Sequence, residues 1–489
     1  MNDSSLTDTM RSSPQLQLGA RYFWRVRVRN SVGNSGFSPA FDFTMLPSAV
    51  DTLSASVVFP SYAQSSDYYS KNYRLLGIPG NSGASVTTLL TGVQEKDWRV
   101  SWDNGNPRDY IVRYDGSSTF VLSTGRAFWV LNRGTINIAL TVPSATLNAN
   151  EEVEISLHGG WNLITNPFTS HLFWQTVQSA NNISEPIYTF TGFYATPYIA
   201  SYESTLDFNP YVGYYYFNTP NDSVLRIPYA ALFDRPAAAP VDPSLWRITI
   251  SAASSDQLDN AAAFGVAPEA ALKRGSLNFH KPRAMSDLVS VSFNRPDLDA
   301  QFPDFATDIR PDDNQLYEWQ FDLRAQVGRA ASLTFSRLDR VPSSLEIWLI
   351  DRQNARVADL RRDSIYKVIP ATPLCEFSIL VGEHSLVTQK LAGVTPTAFW
   401  LGQNFPNPFN PSTTIPVAVP ENAEVTLKLY NILGREVKTI YAGRLDAGRH
   451  WFTWDGTNQE GKIIASGIYL ARFQSLKGHA LTTKLLLIK

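Results

Sequence analysis

The strongest evidence on the fold of this chain is the segment Asn404-Phe-Pro-Asn-Pro-Phe-Asn-Pro-Ser-Thr-Thr-Ile415. Its prolines fix φ and exclude a helix, and its Asn-Pro steps favour turns. Aliphatic residues then alternate with other residues from 415 to 420 and from 425 to 429, which is the period of a half-buried β-strand. Turn sequences at Asn431–Gly434 and Trp454-Asp-Gly456 separate further strands. This region therefore predicts a compact β-sandwich of about seven strands.

Composition extends the same conclusion to the whole chain of 489 residues. It contains 12 Trp, 21 Tyr and 27 Phe beside 30 Pro and 28 Gly, a mixture typical of short strands joined by turns. Its length predicts three or four domains. The fold class we expect is all-β, with tandem β-sandwich domains ending in the small seven-stranded sandwich.

Charge and cysteine content exclude several function classes. The formal net charge is −2, so no strong field favours nucleic acid or an anionic bilayer. Cys375 is the only cysteine, which excludes an intrachain disulfide and a thiolate metal cluster. We expect its side chain to be buried in a strand. No apolar stretch approaches the length of a transmembrane helix. The first 20 residues contain no apolar signal-peptide region, and we expect that the true N-terminus lies upstream.

Residues 1–47 predict a β-hairpin that belongs to an incomplete domain. Tyr22-Phe-Trp-Arg-Val-Arg-Val-Arg29 alternates by twos, a turn follows, and a second strand begins at Phe37. With Leu16 six residues before Tyr22, this segment resembles the C-terminal part of a fibronectin type III domain. The resemblance implies that Tyr22 is the tyrosine-corner residue with a buried ring. Because the first strands of such a sandwich are missing, we expect the domain to begin upstream.

Residues 50–232 contain an internal duplication with a spacing of about 88 residues. Tyr73-Arg-Leu-Leu-Gly-Ile-Pro-Gly80 matches Trp161-Asn-Leu-Ile-Thr-Asn-Pro-Phe168, and Gly125–Asn132 matches Val212–Asn218. The same alignment pairs Trp102 with Trp174 and Tyr114-Asp-Gly116 with Phe190-Thr-Gly192. We expect two similar β units packed into one pseudo-symmetric domain.

Two features of this domain could bind a ligand, although each has a simpler explanation. A sugar platform would use the aromatic side chains of Tyr211, Tyr214, Tyr215, Tyr216, Phe217, Phe128 and Trp129. We favour core packing on both faces of a sandwich for these aromatic residues. The polar loop Asp103–Asp109 is interpreted as a solvated turn.

A further β-sandwich is predicted at 244–388, after the linker Arg235-Pro-Ala-Ala-Ala-Pro-Val-Asp-Pro243. Alternating segments such as Tyr317–Leu323 and Leu345–Asp351 supply its strands. A calcium site would use the acidic loops containing Asp256, Asp259, Asn260, Asp297, Asp299, Asp304, Asp308, Asp312 and Asp313. Their spacing fits no fixed ligand pattern, so we favour solvated loops.

We expect no active site in these residues. The six histidines are scattered over separate predicted units, and none forms an HExxH pair. No Gly-x-Ser-x-Gly elbow and no phosphate-binding loop is present. Paired carboxylates for glycoside hydrolysis depend on the tertiary structure, and nothing in the sequence points to them. No cofactor is expected.

Taken together, the C-terminal blocks resemble the type A sorting domain of the type IX secretion system found in Bacteroidota and their relatives. Asn404-Phe stands where Asn-Tyr is commoner in that family, and Arg449-His450 lies where the family varies. The residues that carry the resemblance are Asn404, Pro406, Asn407, Pro408, Phe409, Asn410, Pro411, Gly434, Arg435, Trp454, Asp455, Gly456, Gly467, Tyr469, Lys484 and Lys489.

The resemblance implies how the chain is exported and does not imply an activity. A signal peptide would export the chain to the periplasm, an outer-membrane translocon would recognise 403–489, and a sortase would cut in the linker 389–402, near Leu391–Leu401. The product would be secreted, or attached at the cell surface to anionic lipopolysaccharide. A free edge strand and a fixed C-terminal strand would offer main-chain hydrogen bonds for docking to a receptor.

The molecular role expected for the chain is structural or adhesive, or that of an interaction protein of the cell surface. Two alternatives stay open: an accessory C-terminal region of a larger secreted hydrolase, and a carbohydrate-binding module. The identity of any glycan or protein ligand does not follow from the sequence.

Overall fold

The computed structural model describes residues 21–44, 49–59, 72–191, 201–218, 222–232, 245–254, 257–268, 277–283, 289–394 and 396–488. These residues form an all-β protein, as predicted, with two short α-helices and several single-turn 3-10 helices. Among the described helices, none combines the length and apolar composition needed to cross a membrane.

The N-terminal segment forms two small antiparallel ladders. Its strands are β1 (Arg21–Trp24), β2 (Arg29–Asn30), β3 (Gly33–Asn34) and β4 (Phe41–Thr44). Strand β1 pairs with β4, and β2 with β3. The predicted strand 22–29 is interrupted because the amides of Val26 and Val28 donate to the hydroxyls of Ser38 and Ser35 instead of to a continuous partner strand.

The tyrosine-corner expectation for Tyr22 is wrong in one respect. Its ring stacks on Phe43 at a centroid distance of 5.7 Å, but the side chain is only half-buried. Leu16 lies outside the described residues. Phe23 and Val28 are each 69% exposed, so the described residues 21–44 form no core of their own.

The first unit of the duplicated domain has six strands. They are β5 (Val50–Val57), β6 (Arg74–Gly77), β7 (Trp98–Asp103), β8 (Ile111–Arg113), β9 (Ala127–Asn132) and β10 (Ile136–Pro143). Strands β5 and β10 pair with each other, and the remaining four form a sheet in the order β6-β9-β7-β8.

The second unit repeats this plan and adds a helix. Its elements are β11 (Glu152–Ser156), β12 (Gly160–Thr165), β13 (Leu172–Phe173), α1 (Trp174–Asn181), β14 (Ile187–Thr191), β15 (Ser201–Thr205), β16 (Asp207–Phe208), β17 (Gly213–Asn218) and β18 (Val224–Pro228). Its outer strands β11 and β18 pair, and its sheet has the order β12-β17-β14-β15. In both four-stranded sheets, the strand that comes first in the sequence lies next to the strand that comes last, β6 beside β9 and β12 beside β17.

Part of the sequence alignment between the two units is wrong. The strand orders make β6 equivalent to β12 and β9 equivalent to β17, and the sequence alignment pairs the same segments. It also makes β7 equivalent to β14, whereas Trp102 lies on β7 and Trp174 begins α1. Likewise Tyr114-Asp-Gly116 follows β8, whose equivalent is β15, whereas Phe190 lies on β14. The equivalent strands begin 86–90 residues apart, whereas Trp102 and Trp174 are only 72 residues apart, so this pairing left the register of the repeat.

An aromatic cluster joins the two units of the duplicated domain. Each unit has its own apolar core, and a further cluster from both four-stranded sheets contains Trp129, Trp161 and Tyr215. The indole N–H of Trp129 donates to the hydroxyl of Tyr215 at 3.1 Å. Successive residues of a strand face opposite sides of its sheet, so Tyr214 and Tyr216 fill the core of the second unit. The sheets therefore pack face to face, with aromatic contact area on both sides of β17.

The third domain is a two-layer sandwich. Its strands are β19 (Trp246–Ser254), β20 (Gln257–Ala267), β21 (Ser290–Asn294), β22 (Asp304–Phe305), β23 (Thr307–Pro311), β24 (Leu316–Arg324), β25 (Ala331–Ser336), β26 (Glu346–Asp351), β27 (Arg356–Asp359), β28 (Ile365–Val368) and β29 (Leu374–Gly382). One sheet has the order β23-β20-β19-β25-β28 and the other β22-β21-β24-β29-β26-β27. Cys375 is buried on β29, where desolvation raises the pKa of its thiol to about 11.

The predicted linker 389–402 is shorter in the structure. Helix α2 (His384–Leu391) extends past residue 389, where the predicted linker begins, and its residue Val387 is buried. At the other end, β30 (Trp400–Leu401) already pairs with the last domain. Residues 392–399 separate the two elements.

The last domain has the seven strands that the sequence predicts, arranged in two sheets. The strands after β30 are β31 (Thr413–Val419), β32 (Ala423–Asn431), β33 (Glu436–Leu445), β34 (Gly448–Trp454), β35 (Gly467–Ser475) and β36 (Ala480–Leu487). Their orders are β30-β31-β34 and β33-β32-β35-β36. The alternating residues of β31 and β32 point into one core.

Replacing Trp129 by alanine tests the aromatic cluster of the duplicated domain. We expect Trp129→Ala to lower the free energy of unfolding of this domain by about 3–5 kcal/mol, because it removes a fully buried indole and its bond to Tyr215. Trp400→Ala is the matched control, since that side chain is 49% exposed, and it should cost less than about 1 kcal/mol. Calorimetry of the full chain measures both, and equal effects would contradict the assignment.

Candidate functional site

The predicted motif residues meet at the end of the last strand. We call residues 403–411 the lead-in and β36 the terminal strand. The lead-in contains three cis X-Pro bonds, before Pro406, Pro408 and Pro411. It runs beside the outer edge of the terminal strand, so that residues far apart in sequence become neighbours.

Asn404 fixes the start of the lead-in. Its side chain is buried, and its amide nitrogen donates to the hydroxyl of Thr413 at 2.8 Å and to the carbonyl of Pro406 at 3.2 Å. The Thr413 hydroxyl donates in turn to the same Pro406 carbonyl at 2.9 Å. A buried amide needs such partners, so Asn404 holds the turn that begins the proline-rich segment.

Main-chain hydrogen bonds then join the lead-in to the terminal strand. The amide of Phe409 donates to the carbonyl of Leu486 at 2.9 Å, and the amide of Ile488 donates to the carbonyl of Phe409 at 3.0 Å. This is a parallel bridge outside the antiparallel ladder between β35 and β36. One residue of the lead-in therefore acts as a short additional strand.

Two side chains of the lead-in extend this attachment. The Asn407 carbonyl oxygen accepts from the amide of Leu486 at 3.0 Å, and the Gln403 amide donates to the carbonyl of Lys484 at 2.8 Å. We call these four hydrogen bonds the clasp. The second half of the terminal strand is therefore held at its outer edge. Among the described residues, no hydrogen bond joins the lead-in to the outward backbone groups of Thr482.

An aromatic stack supports the clasp from inside the sandwich. Phe409 is buried against Trp454 at a ring distance of 5.3 Å, and Trp454 contacts Tyr469 at 5.3 Å. The Trp454 indole donates to the carbonyl of Thr457 at 2.9 Å, and the Tyr469 hydroxyl donates to the carbonyl of Ala465 at 2.7 Å. The three aromatic motif residues thus form one packed unit with satisfied polar atoms.

The Asp455-Gly456 turn closes against the lead-in. Thr457 and Lys438 donate to the Asp455 carboxylate, and the hydroxyl of Thr457 is the main reason that its pKa is lowered to about 2. Gly456 has a φ of +70°, and a Cβ there would lie 2.9 Å from the carbonyl oxygen of Pro411. The close approach of the lead-in requires glycine at this position.

The remaining motif residues occupy peripheral positions. Gly434 and Arg435 form the exposed turn between β32 and β33, where the Asn431 carboxamide oxygen accepts from two backbone amides. Gly467 begins β35, and Lys484 is exposed on the terminal strand. Pro408, Asn410 and Pro411 lie within the lead-in, and Lys489 lies outside the described residues.

The other candidate sites of the sequence do not assemble into binding sites. Tyr214, Tyr215, Tyr216, Phe128 and Trp129 are each 0–1% exposed and Phe217 is 2%, so these rings pack in cores rather than on a sugar platform. Tyr211 is half-buried against the core of the first unit. No group of three or more possible metal ligands occurs among the residues that the structure describes.

The prediction of solvated acidic loops is wrong for Asp259 and Asp308, which are buried in ion pairs rather than exposed to water or arranged around calcium. Lys281 lies 2.6 Å from the carboxylate of Asp259, and both side chains are buried. Asp308 is buried between Arg295 and Arg310. These carboxylates are neutralised by cations of the protein. Asp256 lies outside the described residues.

The loop 103–109 is only partly the solvated turn that the sequence predicts. Asp103 is completely buried, and its carboxylate accepts from the amide of Gly105 at 2.8 Å and from the hydroxyl of Tyr215 at 3.0 Å. Arg283, from the third domain, lies 3.5 Å away. No sequence pattern links Asp103 to Arg283, because the contact spans two domains.

This buried carboxylate is one of several contacts between the duplicated and third domains. The rings of Phe217 and His280 stack with centroids 3.5 Å apart, and His280 lies 3.2 Å from Asp299. Burial lowers the pKa of His280 to about 4. The junction therefore combines aromatic packing with buried charge.

Comparisons with known proteins bear mainly on the last domain. The family model of the FlgD Ig-like domain matches residues 408–478. None of the curated proteins matches the chain. The matched region corresponds to most of the seven-stranded sandwich, and the likeness concerns this part of the chain alone.

Solved structures show only distant likeness. PorZ, described as a surface component of the type IX secretion system of Porphyromonas gingivalis, is 16% identical, with 23% of this chain and 14% of that chain covered and a TM-score of 0.15. Dimeric latent PorU from the same organism is 12% identical, with 50% and 30% covered and a TM-score of 0.17. A polysaccharide lyase is 10% identical, with 50% and 39% covered and a TM-score of 0.14. The chain spans less than a third of PorZ and PorU, and TM-scores this low carry no functional argument.

The close approach at Gly456 can be tested with a matched glycine. Gly461 has a φ of +77° and open space around its missing Cβ. Both alanine variants should carry the left-handed backbone strain of about 1–2 kcal/mol. We expect Gly456→Ala to cost at least about 1 kcal/mol more, because it also displaces the lead-in. Chemical denaturation measures the difference, and equal losses would refute the requirement for close contact.

The buried Asp103 predicts a pH dependence of stability. Desolvation raises its pKa from 3.8 to about 6 in spite of Arg283, so the native state holds a proton that the unfolded state has released between these values. The contribution of Asp103 to stability should therefore fall as the pH rises from 4 to 6, by up to about 3 kcal/mol, and then level off. His280, whose pKa is lowered to about 4, contributes in the opposite direction over this range, so the Asp103 contribution must be measured by difference.

The matched variant is Asp103→Asn, which keeps an acceptor for Tyr215 but does not titrate. Subtracting its unfolding free energies from those of the unchanged protein isolates the Asp103 contribution over pH 4–7. Parallel curves for the two proteins would contradict the assignment.

Proposed function

We propose that residues 403–489 are a type IX secretion sorting domain of type A, and that the chain is a secreted or cell-surface protein delivered through it. The observation that carries this proposal is the clasp. Three of the residues on which the sequence resemblance rests, Asn407, Phe409 and Lys484, take part in the clasp. Phe409 also packs on Trp454, which contacts Tyr469. Residues at both ends of the domain thereby form one folded recognition element.

A folded element of this kind suits recognition after folding in the periplasm. The clasp fixes the second half of the terminal strand, while the outward backbone groups around Thr482 stay available to a receptor strand. Docking of the outer-membrane translocon there would require a correctly folded domain.

The proposed sortase cut lies between α2 and β30, in residues 392–399. A cut there leaves the sandwich of the third domain and the sorting domain each intact, whereas a cut at Trp400 or Leu401 would break the pairing with β31. The released product would be free, or joined at its new C-terminus to anionic lipopolysaccharide.

The exported part would serve a structural, adhesive or interaction role rather than a catalytic one. Its duplicated and third domains share a buried junction, in which Asp103 meets Arg283 and Phe217 meets His280. A rigid arrangement of β domains suits a spacer or a presenting scaffold at the cell surface.

Deleting Leu481–Lys489 tests the sorting role. In a host with a type IX system, and behind a periplasmic export signal, the full chain should reach the cell surface or medium. The deleted chain should accumulate in the periplasm, because the terminal strand and its clasp are lost. A chain lacking residues 1–46 is the control and should be exported normally. Cell fractionation and immunoblotting measure both, and surface delivery of the chain that lacks Leu481–Lys489 would refute the proposal.

A further inference from the structure

One half of an exposed sheet face in the last domain is apolar. In the sheet β33-β32-β35-β36, alternate residues point into the core and the others point outward. The outward residues near the end of the terminal strand are Tyr430, Ile468, Leu470, Leu486 and Ile488. Ile468 and Ile488 are 40% and 47% exposed, and the other three are half-buried without belonging to the core. We call this set the apolar face.

The register places these side chains next to one another. Ile468 lies directly opposite Leu486, and Tyr430 lies opposite Leu470 on the neighbouring strands. Two further exposed aliphatic residues, Ile432 and Leu433, occupy the turn at the same end of the sheet, at 72% and 74% exposure. An antiparallel sheet normally presents polar residues to water on its outer face, and a contiguous apolar patch marks an interaction site.

Cations border the apolar face. Lys428 and Arg472 lie directly opposite each other on β32 and β35, and Lys484 lies on β36 opposite Leu470. Like charges placed opposite each other destabilise a sheet. Glu436 pairs with Lys428, but among the described residues no ion pair involves Arg472 or Lys484.

The charge of the whole domain has the same sign. Residues 400–489 contain ten Lys and Arg against six Asp and Glu, a formal charge of +4, in a chain whose total is −2. Residues 1–399 therefore carry −6. The cationic border is thus a property of this domain and not of the protein in general.

We propose that the apolar face docks an acidic receptor protein of the outer membrane, which covers the aliphatic side chains and places carboxylates against Arg472 and Lys484. The carboxylates would relieve the unfavourable placement of the cations, and the aliphatic contacts would supply most of the affinity. The inference rests on the proposed sorting role and names the surface and the partner chemistry for it.

The first experiment maps the contact in the living host. A photo-crosslinking phenylalanine analogue replaces Leu470 in one full-length chain and Val327, an exposed residue of the third domain, in a control chain. The expected result is an adduct from position 470 to one outer-membrane protein with an acidic surface, and little or no adduct from position 327. An adduct to a second copy of this chain, to lipid alone, or to nothing would overturn the proposal.

The second experiment measures the affinity of that purified receptor for full-length chains. Ile468→Ser combined with Leu486→Ser should weaken binding at least about tenfold. Arg472→Glu should also weaken it, and the loss should shrink at 0.5 M salt, because salt screens exposed charges. The control combines Thr426→Ser with Gln474→Ser on the polar half of the same face and should bind normally. Melting temperatures verify that all variants fold.

Two outcomes would reject this surface. One is unchanged affinity of the serine variant, and the other is equally tight binding of the chain to protein-free phosphatidylglycerol vesicles. The export assay separates this proposal from the sorting role. If the deletion of Leu481–Lys489 blocks export but the serine variant is exported normally, only the apolar face is refuted. If the deleted chain is exported, the sorting role itself fails.

Discussion

A β-sheet must bury its apolar faces, and its two edge strands carry unpaired backbone groups that must be covered or left to water. These two constraints account for the way the described domains are built. In the duplicated domain, two sheets of identical strand order cover each other through Trp129, Trp161 and Tyr215. In the third domain, a five-stranded and a six-stranded sheet do the same with aliphatic and aromatic residues. The last domain covers part of its edge with the lead-in, and one outer half-face stays apolar.

The clasp illustrates how a distant segment of the chain can cover the edge of a sheet. The lead-in adds one main-chain bridge and two side-chain contacts to the terminal strand, so the two ends of the domain depend on each other. Removing either end would expose apolar side chains such as Phe409 and Leu487, which are buried in the native domain. A receptor that contacts this region can therefore distinguish a folded from an unfolded domain.

Buried charge plays a different part at the junction of the duplicated and third domains. The Asp103 carboxylate is shielded from water, and Arg283 and Tyr215 compensate only part of its desolvation, so its pKa rises. Such a pair adds little to stability but requires one relative placement of its partners. With the stacked Phe217 and His280, it fixes how the two domains meet.

Local periodicity was enough to predict the all-β fold and the seven strands of the last domain. It also indicated that the aromatic run around Tyr215 fills both sides of a sheet, because side-chain direction in a strand follows from position alone. The order and spacing of the C-terminal motifs carried the resemblance to a sorting domain. The sequence did not reveal helix α1, to which Trp174 belongs, or helix α2, which shortened the linker. It could not reveal the clasp, the Asp103–Arg283 contact or the apolar face, because each depends on strand order and register between residues distant in the chain. Only the tertiary structure brings those residues together.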